Sequence, residues 1–423
     1  MAMMKTKDLK ITVEKIALMG GRLIDGCGGE PFENSVVLIN GNIIQEVGHK
    51  DKVKIPEGYR VIDVTGKTVM PGMIDLHVHL CWGEGDAVRW RFGIIPPLLD
   101  NPLTMVGIKG FAHARRNLEM GFTTLRDVGD VGYLSVALRD AINSSIVEGP
   151  RIVASGQYLV TTAGHGNAMP PWLIRTDVMS NVVDGVNEVL KAVRQQVKMK
   201  TDWVKFCATS AWVDMDKQFN DDELKALIGE AHEKGKLVAA HCLREKGTLA
   251  AVKEGVDTVE HGSEMTEEII DLMLKKGTYL VPTLSAIWNI QNRGREYGYT
   301  DSELEAFRPG LERHYKSFQM ALDGGVKMAF GTDTGYVGAH GENAFEFELM
   351  VKYGMTPMNA ILTATRNAAL ALRLGDKLGT IEKGKWADLI VVNGNPLEDI
   401  NILQDKGEIS LVLKEGFVYV NRL

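Results

Sequence analysis

Polar side chains stand in or directly after apolar, strand-like runs at several separate places in this sequence. Six residues follow this pattern: His77, His79, Lys205, His241, His261 and Asp333. Helical stretches separate the runs. Because active-site residues of a (β/α)8 barrel collect at the carboxyl ends of its strands, the pattern predicts an α/β fold of the TIM-barrel type.

The spacing of the apolar runs describes this fold in more detail. After the run that ends at His77, further strands are predicted near 122–126, 151–155, 202–207, 237–241, 256–260, 278–282 and 326–331. One of the helices between them starts after Asn220, where residues 220–223 form a capping-type sequence. Eight strands that alternate with helices in about 300 residues suit a (β/α)8 barrel. We therefore assign residues 72–374 to a TIM barrel.

Both ends of the chain consist of short strand-like runs with tight turns. The stretch 36–47 contains Asn40-Gly41, a dipeptide that suits a two-residue hairpin turn, and the tail 387–420 has the same character. Neither end buries enough apolar surface by itself. We therefore expect residues 1–71 and 375–423 to form one small β-sandwich domain together.

Composition and charge limit the classes of partner. The chain has 423 residues, a net charge of −7 and four cysteines without paired spacing. These features argue against nucleic acid, a membrane or a disulfide framework. No apolar signal-type segment opens the sequence, so a cytoplasmic location is expected. The long region 81–108 is expected to be an active-site lid or a subunit contact, and the protein a homo-oligomer with a small-molecule substrate.

His77 and His79 are separated by one residue in a predicted strand. Side chains at positions i and i+2 point to the same face of a strand, so both imidazoles can bind one ion. A His-x-His pair alone is a weak signal, because chance and core packing also produce it. At the end of the first barrel strand, however, the pair becomes a candidate metal site.

Lys205 lies between Val204 and Phe206 in an apolar strand, where an unpaired ammonium group is costly. Burial near cations would lower its pKa and leave the amine neutral. A neutral lysine can take up carbon dioxide to form a carbamate, which is an anionic ligand able to bridge two metals. The alternative is a lysine that reaches the strand end or pairs with Asp202. Beside four histidines, the carbamate is favoured.

His241 and His261 each end an apolar strand, and Asp333 comes after the eighth strand. Each has a structural alternative, because a histidine can be satisfied within a core and Asp333 can cap a helix. Together at one end of a barrel they are better explained as ligands, with Asp333 also accepting the proton of a water. Imidazole and carboxylate ligands favour Zn²⁺. Two Zn²⁺ ions, bridged by carboxylated Lys205 and a hydroxide, would supply a nucleophile near neutral pH and polarise a carbonyl.

Several of these motifs resemble those of the amidohydrolase superfamily, over nearly the whole chain. They are the run 71–79, Val259-Glu260-His261-Gly262, Gly331-Thr332-Asp333 and the closing stretch 379–391. Within the superfamily the chain is similar to the imidazolonepropionase-related group. It resembles the metal-dependent prolidases, the Xaa-Arg/Lys dipeptidases and the hydrolases of N-acyl amino acids such as ochratoxin.

The resemblance also implies roles for the candidate residues. It implies that one metal is held by His77, His79 and Asp333 and the second by His241 and His261, with carboxylated Lys205 between them. Asp333 would then act as general base toward the water and as general acid toward the leaving amine.

Three further residues are candidate substrate contacts. The related enzymes commonly carry a Gly-His-Gly where this chain has His165, which would be catalytic and reach the substrate; a solvated glycine-rich loop is the alternative. Many of them carry a tyrosine where this chain has Leu243. The next residue, Arg244, could instead bind a substrate carboxylate or pair with Glu245. His340 is a candidate by its position after the eighth strand.

The expected function is hydrolysis of the amide bond of a dipeptide or an N-acyl amino acid at a binuclear zinc site. One alternative is a mononuclear cyclic-amide hydrolase or deaminase of the imidazolonepropionase type, which would not need Lys205. Another is a non-catalytic scaffold, which the presence of all six donors disfavours. Four histidines in polar or helical contexts are expected at the surface: His49, His113, His232 and His314.

Overall fold

The structure is a computed structural model that describes residues 14–83, 101–167, 180–210 and 215–423. Most of the expected lid or subunit contact, and the segment that opens the chain, lie outside the described residues. The described residues contain all six candidate metal ligands and the three candidate substrate contacts.

The N-terminal segment forms short strands, as its runs of branched apolar residues and turns predict. They are β1 (Lys15–Met19), β2 (Arg22–Leu23), β3 (Ser35–Asn40), β4 (Ile43–His49), β5 (Arg60–Asp63) and β6 (Lys67–Pro71). The expected hairpin joins β3 to β4. Because Asn40 pairs with Ile43, the turn consists of Gly41 and Asn42, one residue later than predicted. Gly41 has a φ of 62°, which glycine adopts without strain.

The middle of the chain forms strands that pair in parallel. They are β7 (Met73–Val78), β8 (Phe122–Asp127), β9 (Arg151–Ala154), β10 (Tyr158–Val160), β11 (Ser180–Val182), β12 (Trp203–Cys207), β13 (Leu237–Cys242), β14 (Thr258–His261) and β15 (Tyr279–Val281). One sheet has the order β7-β8-β9, and a second has the order β11-β10-β12-β13-β14-β15. The strands predicted from 122 to 282 therefore have counterparts in these two sheets.

Helices follow most of these strands. They are α1 (Leu103–Glu119), α2 (Leu134–Asn143), α3 (Val186–Lys198), α4 (Asp221–Glu233), α5 (Glu245–Glu254), α6 (Glu267–Lys276), α7 (Leu284–Arg293), α8 (Asp301–Asp323), α9 (Phe345–Lys352), α10 (Pro357–Leu362) and α11 (Ala368–Ala371), with a π-helical turn at Thr363–Asn367. Helix α4 begins as predicted, because Asn220 Oδ1 accepts from the Glu223 N–H at 2.9 Å and Glu223 Oε2 accepts from the Asn220 N–H at 2.8 Å. Within the described ranges, none of the helices combines the length and apolar character that crossing a membrane would require.

Backbone hydrogen bonds join the two parallel sheets on both sides. On one side the segment 326–334 lies between β15 and β7: Leu280 N–H donates to Lys327 O, and Leu76 N–H donates to Phe330 O, both at 2.9 Å. On the other side, Asp202 N–H donates to Ala154 O at 2.7 Å. The predicted strand at 326–331 is therefore in its expected place, although it pairs through isolated bridges rather than a regular ladder.

The C-terminal strands are β16 (Leu389–Asn393), β17 (Ile409–Lys414) and β18 (Phe417–Asn421). They share a sheet with N-terminal strands in the order β18-β17-β16-β6-β2, while β4-β3-β1-β5 form a separate sheet. One buried cluster contains residues of both sheets, such as Ile16 and Val37 from one and Leu389 and Leu411 from the other. Burial of each such side chain contributes about 1.5–3 kcal/mol, so the two ends of the chain stabilise each other.

Candidate metal centre and active-site cavity

The carboxyl ends of the parallel strands open on a cavity of about 240 Å³. All six candidate ligands line it: His77, His79, Lys205, His241, His261 and Asp333. None of the six is more than 9 % exposed. The sequence pattern of polar residues after apolar runs therefore corresponds to one place in the structure.

The four imidazoles of the candidate ligands lie close together in this cavity. The ring centroids of His77 and His261 are 4.9 Å apart, those of His241 and His261 are 4.6 Å apart, and those of His77 and His79 are 5.5 Å apart. Burial lowers the pKa of His77, His241 and His261, and neighbouring positive groups lower it further. These three rings are therefore neutral near pH 7, which is the state that binds a metal.

Asp333 faces the first two of these histidines. Its Oδ1 lies 3.2 Å from His79 Nε2 and 3.5 Å from His77 Nε2. Burial alone would raise the pKa of Asp333, but His77 and His79 outweigh it and the pKa is lowered. The alternative that Asp333 caps a helix is not found, since the next described helix begins at Phe345. Asp333 is an ionised carboxylate placed to accept a proton or to bind a cation.

Two of the ligand candidates have strained backbone conformations. His261 has a φ of 68° and Asp333 a φ of 62°, and Thr283, whose Oγ1 lies 2.7 Å from His261 Nδ1, has a φ of 51°. A left-handed conformation is unfavourable for residues with a side chain, and most of all for a β-branched one such as threonine. Each costs about 1–3 kcal/mol and persists where the surrounding structure requires it, which is frequent in functional sites.

A buried carboxylate orients His77. Glu260 Oε2 lies 2.7 Å from His77 Nδ1, and Glu260 Oε1 accepts from Arg126 Nη2 at 2.7 Å. Glu260 and Arg126 are fully buried. The sequence motif included Glu260, but sequence reasoning assigned it no role. The available signal was a carboxylate next to His261 in a predicted barrel strand, where a buried charge requires a partner.

Lys205 and His241 each carry a buried atom without a hydrogen-bond partner. No described residue hydrogen-bonds to Lys205 Nζ or to His241 Nε2. The alternative partner for Lys205 is not used, because Asp202 pairs with Arg139 at 2.8 Å. Burial lowers the pKa of Lys205, although Glu260 opposes the shift. A buried polar atom without a partner is unfavourable. The His241 nitrogen therefore fits a bound cation, and the Lys205 amine fits conversion to a carbamate.

One close group of ligand atoms contains residues from both expected metal sites. Among the described residues, one ligand atom each of His77, His261 and Asp333 lie within 4.8 Å of one another. The sequence resemblance placed His77 and Asp333 on one metal and His261 on the other. In the structure His261 is close to both His77 and His241, so the two expected groups adjoin, and which residues share a metal stays a prediction.

Two of the three candidate substrate contacts line the cavity. His165 stacks on His241 with ring centroids 4.2 Å apart, and burial together with Lys205 lowers its pKa to about 3. Arg244 also lines the cavity, and its ion pair is with Glu264 at 3.1 Å rather than with Glu245.

His340 is not among the residues that line the cavity. Its Nε2 lies 3.1 Å from Trp82 O, and its ring stacks on His113 with centroids 4.3 Å apart. That His340 contacts substrate stays a prediction, since its ring contacts Trp82 and His113, which do not line the cavity. His314 was expected at the surface and is instead buried, with Nδ1 2.8 Å from Ser263 Oγ.

Helices α7 and α8 supply an apolar wall that sequence reasoning missed. Ile287 and Ile290 of α7 and Phe307 of α8 line the same cavity as the histidines, and Arg313 of α8 lies beside them. No sequence signal marks these residues, because the spacing of an amphipathic helix does not show which face borders a cavity. The cavity therefore has a polar floor, formed by the six candidate metal ligands, and a mainly apolar wall, formed by α7 and α8.

Comparisons with known proteins agree with this architecture. The model of the amidohydrolase family matches residues 68–418. The ochratoxinase of Aspergillus niger is 31% identical over 439 residues, covering 98% of this chain and 88% of that protein. The structure of a Xaa-Pro dipeptidase with bound methionine superposes with a TM-score of 0.85 and 35% identity, covering 96% of this chain and 100% of the other. The structure of a prolidase complexed with N-methylphosphonate-L-proline superposes with a TM-score of 0.86 and 31% identity, covering 96% of this chain and 100% of the other.

Proposed function

The chain belongs to the amidohydrolase family, and on this basis we propose that it is a binuclear zinc-dependent hydrolase that cleaves the amide bond of dipeptides or N-acyl amino acids. The observation that carries the proposal is that the four candidate imidazole ligands, the Asp333 carboxylate and the unpartnered Lys205 amine all line one cavity. The names of the relatives support it, since an ochratoxinase and Xaa-Pro dipeptidases both act on amide bonds.

The fold that carries this site is, in this proposal, a closed (β/α)8 barrel over residues 72–374. The hydrogen bonds of segment 326–334 with β7 and β15, and that between Asp202 and Ala154, support closure. Residues 1–71 and 375–423 form a β-sandwich domain, which the shared sheet of β2, β6 and β16–β18 supports. Its function is structural, because it buries the apolar surface of both chain ends.

The metal ligands are all six residues that line the floor: His77, His79, Lys205, His241, His261 and Asp333. Lys205 acts after carboxylation, in which its neutral amine nitrogen bonds to the carbon of carbon dioxide and releases one proton. The carbamate replaces a buried amine that has no partner with an anion able to bind cations. When bound, zinc ions supply Lewis-acid polarisation of a carbonyl and a lowered pKa of water.

Asp333 moves the proton in this proposal. A bond forms between the water oxygen and the amide carbon, and Asp333 takes the proton that the water loses. The carbon–nitrogen bond then breaks, and Asp333 returns the proton to the leaving nitrogen. Its ionised state and its distances from His77 and His79 suit the first of these roles. His165 contacts the substrate as a neutral imidazole, and Arg244 binds a substrate carboxylate.

The experiment is an assay of Xaa-Pro, Xaa-Arg and Xaa-Phe dipeptides and N-acyl amino acids with zinc supplied, together with metal analysis. We expect about two zinc ions per chain and hydrolysis of at least one of these classes. Asp333→Asn should lower kcat at least about 100-fold. The matched control Asp271→Asn, at an exposed position of α6, should leave kcat unchanged. A zinc-loaded protein that hydrolyses none of the panel would overturn the proposal.

A second candidate is a mononuclear cyclic-amide hydrolase or deaminase of the same fold. The compact group of His77, His261 and Asp333 favours it, because three ligands suffice for one catalytic zinc. This candidate predicts one zinc ion per chain and no requirement for Lys205. Metal content and the activity of a Lys205 variant therefore separate the two candidates.

A further inference from the structure

Two arginines and one glutamate form a charged group at the edge of the cavity. Glu264 Oε1 lies 3.1 Å from Arg244 Nη1 and 3.2 Å from Arg313 Nε. The three side chains are partly exposed, at 36%, 24% and 47% for Arg244, Glu264 and Arg313. All three line the same cavity as the histidines. The shared glutamate therefore holds two guanidinium groups near each other on the wall of the candidate active site.

The charges of this group do not balance. One carboxylate faces two guanidinium groups, which leaves one positive charge. Among the described residues that line the cavity, the other carboxylate is Asp333, which faces His77 and His79. No described residue other than Glu264 forms an ion pair with Arg313. An anionic ligand group at this edge of the cavity would neutralise the remaining charge and meet N–H donors in the planar arrangement that suits a carboxylate.

The helix that carries Arg313 also supplies apolar lining. Ala306, Gly310 and Arg313 are spaced i, i+4 and i+7 and therefore share one face of α8, beside Phe307. A Cβ built on Gly310 would have a single neighbour within 4 Å, Arg313 Nη2 at 3.8 Å, so this part of the wall is open. A cation and an open apolar surface on one helix face suit a ligand in which a carboxylate lies next to an apolar side chain.

From this arrangement we infer that Arg313 is a specificity-determining residue, which together with Arg244 binds the free carboxylate of the leaving amino acid. The apolar wall formed by Phe307, Ile287 and Ile290 takes the side chain of that amino acid. The inference rests on the proposed amide hydrolysis and narrows its substrate class. The preferred substrates are amides whose leaving group is an α-amino acid with a free carboxylate and a large apolar side chain.

The test of the carboxylate site compares N-acetyl-L-phenylalanine with its uncharged C-terminal amide. Arg313→Gln should raise KM for the free acid about tenfold, because one charge-assisted contact is lost, and should change KM for the amide less than about twofold. kcat should change less than about twofold for both. The matched control Arg308→Gln, on the same helix and paired with Glu305 outside the cavity lining, should change neither KM. Equal effects of Arg313→Gln on both substrates, or no effect, would overturn the role of Arg313.

The apolar part of the site has its own comparison. The ratio kcat/KM for N-acetyl-L-phenylalanine should exceed that for N-acetylglycine at least about tenfold, since burial of an aromatic side chain contributes about 1.5–3 kcal/mol. Phe307→Ala should reduce this preference. An equal or reversed preference in the unchanged protein would overturn the apolar assignment.

A binding measurement separates this inference from the proposed function. Calorimetric titration with L-phenylalanine and with its amide needs no turnover. If the protein hydrolyses no amide but binds L-phenylalanine, and Arg313→Gln weakens that binding about tenfold, the site stands and the proposed reaction fails. If the amides are hydrolysed but Arg313→Gln leaves binding of L-phenylalanine unchanged, the reaction stands and the role of Arg313 fails.

Discussion

His77 Nδ1 lies 2.7 Å from Glu260 Oε2, deep in the wall of the cavity, and both side chains are almost completely buried. The other oxygen of Glu260 accepts from Arg126 Nη2 at 2.7 Å, and Thr258 Oγ1 also donates to it. A carboxylate on Nδ1 keeps the proton on that nitrogen and leaves the Nε2 lone pair directed to the cavity. Such contacts behind a ligand fix its tautomer and ring orientation and raise its basicity.

Glu260→Gln should weaken zinc binding about 10–100-fold, because the uncharged amide supports the His77 ring less well than the carboxylate does. The measurement is competition for zinc with a chelator of known affinity, on protein whose fold is checked by circular dichroism. Glu233→Gln changes an exposed residue at the end of α4 and serves as the control. Unaltered zinc affinity in folded Glu260→Gln protein would contradict the orienting role.

The same substitution also removes the partner of a buried guanidinium group. Loss of one member of a buried ion pair costs about 3–5 kcal/mol, so Glu260→Gln should also lower the free energy of unfolding. The double variant Arg126→Met/Glu260→Gln removes both charges. If it recovers stability while zinc affinity stays low, the effect on the metal site is separate from the effect on folding.

Lys205→Ala should reduce kcat at least about 100-fold, because it removes the amine that carries the proposed carbamate. Added acetate or propionate should restore part of the activity, since a free carboxylate can take the place of the carbamate in the space that the side chain leaves. The control is Lys414→Ala, which changes a buried lysine that donates to Gly149 O, away from the cavity. Turnover in Lys205→Ala equal to that of the unchanged protein would reject the bridging role.

The placement of the ligand candidates could be predicted from the sequence because strand geometry determines it. His77 and His79 follow the two-residue repeat of a strand, and parallel strands bring their carboxyl ends to one side. His241 and His261 lie at the carboxyl ends of the neighbouring strands β13 and β14 and are therefore near them. The sequence pattern around each residue was sufficient to predict its position, because the strand that carries the residue determines where its side chain lies.

Contacts that depend on how helices pack could not be predicted in this way. Arg313 reaches the cavity only because α8 lies across it, and Arg244 pairs with Glu264, which is distant from it in sequence, rather than with adjacent Glu245. His340 follows the right strand, separated from Asp333 by six loop residues (334–339), but it does not line the cavity, and its Nε2 lies near Trp82 O. Sequence spacing defines the strand end and not the path of the loop that follows it.

His314 should make the protein sensitive to acid. Burial lowers its pKa to about 4, from an ordinary value of 6.5. Between these two values the unfolded chain binds a proton that the folded protein does not, so the free energy of unfolding falls as the pH falls from about 6.5 to about 4. The contribution of this group is roughly 3 kcal/mol. Denaturant unfolding is measured for His314→Asn and for the unchanged protein, both with a chelator present. As the pH falls, the free energy of unfolding should decrease less in the variant. An equal decrease in the free energy of unfolding of both proteins would contradict the role of His314 in acid sensitivity.

Gly229 and Gly235 differ in backbone conformation but not in surrounding space. A Cβ added to either would have no atom within 4 Å, whereas Gly235 alone of the two has a positive φ, of 71°. Gly229 lies inside α4, where alanine is favoured over glycine, so Gly229→Ala should raise the free energy of unfolding by about 0.5–1 kcal/mol. Gly235→Ala should lower it by about 1–2 kcal/mol, because alanine is strained in the left-handed region.

Denaturant unfolding of the two variants measures this difference, and both should keep the activity of the unchanged protein because neither residue lines the cavity. Shifts of the same sign in both variants would show that local crowding, rather than backbone conformation, decides the effect.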